Sequence, residues 1–130
     1  MPPMAKTDFN LVFRRLRAIL AKHSPPLVVT SDTPAYYSLD LDAPDVPAPR
    51  RYVGGVRILK SYVSFYWMPV YGIPALLDGV SPELRSRMQG KSCFNFTQVD
   101  EPLARELDEL TVSSLPPYRK VVKTLFVKTR

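Results

Sequence analysis

Few residues of this chain have the type and spacing that chemistry needs. The lone histidine, His23, follows Lys22 at the end of a helical pattern, with no nucleophile and orienting acid near it in sequence. Its expected role is charge compensation at a helix C-terminus. The single cysteine, Cys93, falls inside a β pattern and is expected to be a small, partly apolar filler. A reactive thiol there would need Lys91 on the same side and partial exposure. One cysteine allows neither an internal disulfide nor a multi-cysteine zinc site. Two acidic groups could supply oxygens to a hard cation: Asp40, Asp42 and Asp45, and then Glu101, Glu106, Asp108 and Glu109. Prolines splay the first group, and the second reads as the solvated face of a helix. No metal ligand, cofactor or catalytic residue is therefore expected. Gly54-Gly55 is too short to be a phosphate-binding loop.

The best candidate site lies between Met68 and Ser92. Tyr66, Tyr71, Arg87, Lys91 and Ser92 put polar tips on apolar bodies around one end of a sheet. Such groups can line a pocket for a small molecule or peptide. The competing expectation is that the tyrosines are packed with their hydroxyls satisfied while the cations are solvated.

The element that must position these residues is Lys60 to Met68, the most aromatic stretch of the chain. Val63, Phe65 and Trp67 share one parity and Tyr62, Ser64 and Tyr66 the other, which predicts a half-buried strand. Arg51 to Leu59 should pair with it antiparallel through a turn near Lys60, with Gly54-Gly55 as a bulge. Shorter strands are expected at Leu27 to Thr30, Ala35 to Leu41 and Ser92 to Phe96. Asp42 to Pro49 reads as an extended, solvated, proline-rich connection between two strands. Asp8 should cap a helix over about 9–22, with Phe9, Val12, Phe13, Leu16, Ile19 and Leu20 on its apolar stripe. Leu11 falls outside that stripe. Ser81-Pro82-Glu83 is a second helix start, running to about Met88 and closed by Gly90. A third helix begins at Asp100 or Glu101, buries Leu103, Ala104, Leu107 and Leu110, and should stop at Pro116-Pro117. Tyr118, Val121, Val122 and Leu125 then fit a further helix, with a final strand as the alternative.

The chain has 130 residues, 45% of them hydrophobic and 23% charged, which suits one soluble domain spanning 1–130 with a loose segment at 1–6. No stretch approaches the roughly 20 apolar residues of a membrane span. No signal-like segment follows the N-terminus, so a cytoplasmic location is expected. The net charge is +6, but residues 116–130 hold five cations and no acid, leaving the rest nearly balanced. That distribution argues against a general nucleic-acid-binding face.

Residues 60–71, Lys-Ser-Tyr-Val-Ser-Phe-Tyr-Trp-Met-Pro-Val-Tyr, followed by Ser81-Pro-Glu-Leu-Arg-Ser-Arg-Met-Gln-Gly-Lys-Ser-Cys-Phe-Asn-Phe96, resemble the YdhG-like family of bacterial domains of unknown function. The resemblance covers residues 60–110, and more loosely 9–59. It implies a distantly frataxin-like α+β domain and, for some relatives, an iron-chaperone role. Frataxins hold iron on an acidic first helix, whereas this first helix carries Arg14, Arg15, Arg17 and Lys22. A cationic surface repels iron ions.

Together these readings give a two-layer α+β domain with a mainly antiparallel, twisted sheet and N- and C-terminal helices packed on one face. The expected function is a non-enzymatic binding or adaptor module for an unidentified small molecule or protein. The alternatives are iron delivery and, more weakly, an enzyme using the Tyr and Lys groups near residues 62–91.

Overall fold

The computed structural model describes residues 8–126, with side chains as far as Thr124. The segment 1–6, the side chain of Leu125 and the tail cations Lys128 and Arg130 lie outside the described residues. Five strands form one antiparallel sheet in the order of the chain: β1 (Val28–Asp32), β2 (Tyr36–Asp40), β3 (Tyr52–Ile58), β4 (Val63–Trp67) and β5 (Cys93–Phe96). β4 carries the parity expected of it. Val63, Phe65 and Trp67 are completely buried on the helix side, opposite Phe96, Phe94 and the β3 residues Ile58, Val56 and Gly54. The β3–β4 hairpin turns at Lys60, where the Leu59 amide donates to the Tyr62 carbonyl at 2.8 Å.

The expected bulge is displaced by one residue. Leu39 faces Gly54 and Asp40 faces Tyr52, so Val53 is the extra residue, and both glycines stay in regular register with β4. The glycines serve close approach instead. A Cβ on Gly54 would lie 2.7 Å from the Trp67 ring, and one on Gly55 would lie 2.8 Å from the Tyr52 hydroxyl.

Helix α1 (Phe9–Ala21) is capped by the Asp8 carboxylate, which accepts from the Asn10 and Leu11 amides. It buries Val12, Phe13, Leu16, Ile19 and Leu20, leaving Leu11 half exposed, as its position off the stripe requires. Two one-turn helices follow β4: α2 (Pro69–Gly72) and, after a 3-10 turn over Pro74–Leu77, α3 (Pro82–Arg85). α3 has the expected Ser81 cap but stops at Arg85, short of Met88. Beyond it, Met88 bridges to Phe94, and the Gln89 and Asn95 amides bond to the Cys93 and Arg87 carbonyls. That segment covers the outer edge of β5. The main-chain bonds available along an open strand edge outweigh continuation of a short helix.

The last helix differs most from expectation. α4 runs unbroken over Glu101–Phe126, through Pro116 and Pro117, so among the described residues neither a stop at the prolines nor a final strand is present. The prolines remove donors to the Val112 and Ser113 carbonyls. Both residues are exposed, so water can take the donors' place. Leu115, Tyr118 and Val122 are buried, and this packing holds the second half of the helix on the domain.

The charged faces of α1 and α4 also differ from the expectation of solvated rows. Arg15 makes a two-pronged bond to Glu101 at 2.7 and 3.1 Å, Lys22 pairs with Asp108, and Arg17 pairs with Asp32 of β1. Glu106 is half-buried and accepts from the Ser81 amide and hydroxyl, tying α3 to α4; Glu109 faces water as expected. The proline-rich connection is likewise anchored. Val46 is buried, and Arg51 donates to the Val46 and Pro44 carbonyls. No helix among the described residues is long and apolar enough to cross a membrane.

Candidate functional site

The five residues singled out from sequence separate into three places. Tyr71 and Lys91 come together. They line one open groove of about 810 Å³ between α2, the following 3-10 turn and the loop from α3 to β5. Val70 lies buried at its base, Leu77 and Met88 are half-buried, and Arg85 closes one side by donating to the Leu77 carbonyl at 3.1 Å. Gly90 adopts a positive φ of 81° in the loop that carries Lys91, a conformation only glycine holds without strain. A second cavity of about 210 Å³ adjoins the groove and shares Tyr71 and Gly72 with it; Tyr52, Met68 and Tyr118 line its far side. A Cβ on Gly72 would lie 3.1 Å from the Tyr118 ring, so the glycine keeps that junction open. Tyr71 is 54% exposed, a large aromatic left largely in water at the boundary of two cavities.

Tyr66 is elsewhere, on the sheet face that the helices leave uncovered, opposite Cys93. The parity of the strands puts Tyr36, Ser38, Arg57, Ser64 and Asn95 on the same face. Its polar groups bond to one another: Ser64 donates to Asn95 at 2.6 Å, Asn95 donates to Gln89 at 3.1 Å, and the Thr30 and Ser38 hydroxyls are 2.7 Å apart. The Tyr52 hydroxyl reaches over Gly55, and burial, then the neighbouring Tyr36 and Tyr66, hold its pKa far above the usual phenol range. Burial also raises the Cys93 thiol, which donates to Asn95 at 3.3 Å and stays protonated and unreactive at neutral pH. Among the described residues this face carries a network of hydrogen-bonded Ser, Thr and Asn side chains, and its thiol is not activated.

Arg87 and Ser92 join neither group. The Arg87 guanidinium lies 5.9 Å from the Phe96 ring and its carbonyl holds the β5 edge, while the Ser92 carbonyl accepts from the Trp67 amide at 2.9 Å. Both support the sheet edge. Sequence reading missed Arg85 and Gly72 as groove residues. The signal for Arg85 was present, because α3 lies within the same Ser81–Gly90 segment. The short helix sends residues 85 and 87 to different sides.

His23 proves to be a docking residue, which corrects its expected role. Its Nε2 lies 2.8 Å from the Thr111 hydroxyl, and its ring packs 6.0 Å from Trp67. The Thr111 hydroxyl already donates to the Asp108 carbonyl, so Nε2 is the donor to it. Burial, then the Lys22 and Arg119 charges against the opposing Asp108, lower the His23 pKa, so the ring is neutral and compensates no dipole. Alongside it, Trp67 donates to the buried Ser114 hydroxyl at 2.7 Å. Among the described residues no three His, Cys, Asp or Glu side chains gather into a metal-sized group. Asp40 is half-buried, and its carboxyl is raised by burial against the opposing Arg51.

No family model, curated protein or solved structure matches the chain.

Proposed function

We propose that this domain is a binding module whose ligand surface is the groove bordered by Tyr71, Arg85 and Lys91. The convergence of Tyr71 and Lys91 over an apolar base of Val70, Leu77 and Met88 carries the reading. An apolar concavity with a few polar groups at its rim is the usual form of a small-molecule site. A YdhG-like relationship fits the same reading, because an antiparallel sheet with packed helices is what that resemblance implies. Iron delivery finds less support, because the acids beside α1, Glu101, Asp32 and Asp108, are engaged with Arg15, Arg17 and Lys22, while Arg14 remains exposed. The test is a fragment screen followed by amide shifts on the labelled full chain. Binding fragments should perturb residues 70–77 and 85–91. Hits that cluster on the open sheet face, or binding undiminished in Tyr71→Ala, would overturn the reading.

A further inference from the structure

We infer that the groove takes a soluble, elongated amphiphilic carboxylate, with its anionic head at Arg85 and Lys91 and its apolar body laid across Tyr71 toward Tyr118. The inference rests on the groove being the ligand site and adds what the ligand is. Charge complementarity carries it. Among the described residues, Arg85 and Lys91 are the charged groups lining the main groove, both exposed and both cationic; Arg50 joins the lining of the adjoining cavity, and no described carboxylate lines either. A cationic ligand would meet only repulsion there, and a neutral one would gain nothing from the Lys91 charge or from the guanidinium donors that the Arg85 bond to the Leu77 carbonyl leaves over.

The body of the ligand is set by the remaining surface. Val70, Leu77 and Met88 give the main groove an apolar base, and the adjoining cavity continues it past Tyr71 and Gly72 to Met68 and Tyr118. The two cavities share Tyr71 and Gly72, so their lining is continuous from Lys91 to Tyr118 and suits a chain or a short string of rings rather than a compact acid. A volume of about 810 Å³ is small-molecule in scale, since such pockets span about 300–1,000 Å³. A soluble ligand is thus favoured over a membrane surface or a protein partner.

The experiment is calorimetry on the full chain with decanoate, decanol, decyltrimethylammonium and acetate, each below its aggregation range, with amide shifts locating the bound ligand. Decanoate should bind saturably, perturbing 70–77 and 85–91. Decanol and acetate should each bind about tenfold or more weakly, the step expected for losing a charge-assisted head contact or an apolar body. Decyltrimethylammonium should not bind. The Arg85→Gln, Lys91→Gln double variant should lose the preference for decanoate over decanol while still binding decanol. Both positions are exposed, and because Arg85 also donates to the Leu77 carbonyl, decanol binding by the variant is the control that the groove survives the substitutions. Equal affinity for decanoate and decanol in the parent, with shifts confined to the groove, would overturn the anion assignment and leave the groove as the site. Shifts outside the groove would remove the site reading itself. Tighter binding to vesicles of phosphatidylglycerol, or to a peptide of alternating Asp and Leu, than to decanoate would overturn the choice of a soluble small molecule.

Discussion

His23 shows how one side chain can be placed correctly and read wrongly from sequence. Its position after α1 was legible; its burial against Trp67 and Thr111 was not, because those partners are 44 and 88 residues away. The lowered pKa has a signed consequence. The unfolded chain, with an ordinary value of 6.5, takes the proton more readily than the folded one. The His23 contribution to stability is therefore complete above about pH 6.5 and is lost as pH falls from there through the lower folded value. Denaturant midpoints between pH 8 and 5 should fall more steeply for the parent than for His23→Gln, and parallel curves would show that the ring titrates normally. Ser114 offers a second test. Ser114→Ala leaves the buried Trp67 indole N–H without its acceptor and should cost about 1–3 kcal/mol. An unchanged midpoint would mean that water or a neighbour replaces the hydroxyl.

At the scale of elements, legibility follows how local the signal is. The helix caps at Asp8 and Ser81, the β4 parity and the Lys60 turn are written within a few residues and read correctly. The passage of α4 through Pro116-Pro117 was illegible, because the decisive contacts are tertiary. Two lost backbone bonds end most helices, yet here Tyr118 and Val122 bury their side chains on the core and hold the far half in place. That account predicts a weak joint. Val122→Asp should release the helix beyond the prolines while leaving the sheet and α1 folded. Limited trypsin digestion should then cut between Arg119 and Lys123 at protease levels the parent survives, with the near-ultraviolet signal of Trp67 retained. Equal resistance in both proteins would mean that the second half of α4 does not depend on docking. The candidate groove was half legible for the same reason. Tyr71 and Lys91 could be named from their types, but the loop geometry that faces them toward Arg85, and separates them from Tyr66, is set by the covered edge of β5.

Over the whole molecule, the charge that looks like two independent surfaces in sequence is largely one internal seam. The basic row of α1 and the acidic start of α4 meet through Arg15–Glu101 and Lys22–Asp108, while Arg17 turns to Asp32. Arg15 in turn holds the Glu101 carboxyl below its usual range through their hydrogen bond. Exposed pairs of this kind contribute little energy singly, but they consume the cations that a polyanion would need. The excess of the net +6 then falls in residues 116–130, of whose cations Arg119, Lys120 and Lys123 lie on α4. There Arg119 is half-buried, while Lys120 and Lys123 are exposed; Arg119 and Lys123 line a small cavity that Asp42 also lines. So few available cations support only a handful of phosphate contacts, and affinity built on phosphate contacts falls steeply as salt displaces the protein from the condensed counterion layer. Retention on immobilised DNA or RNA should therefore be weak, indifferent to sequence and lost by about 0.15 M salt, where exposed charges are screened beyond about 8 Å. The Arg119→Gln, Lys120→Gln, Lys123→Gln variant should elute earlier at low salt and together with the parent at physiological salt. Sequence-selective retention of the parent at physiological salt, abolished in that variant, would make nucleic acid the leading partner and displace the groove as the principal binding surface.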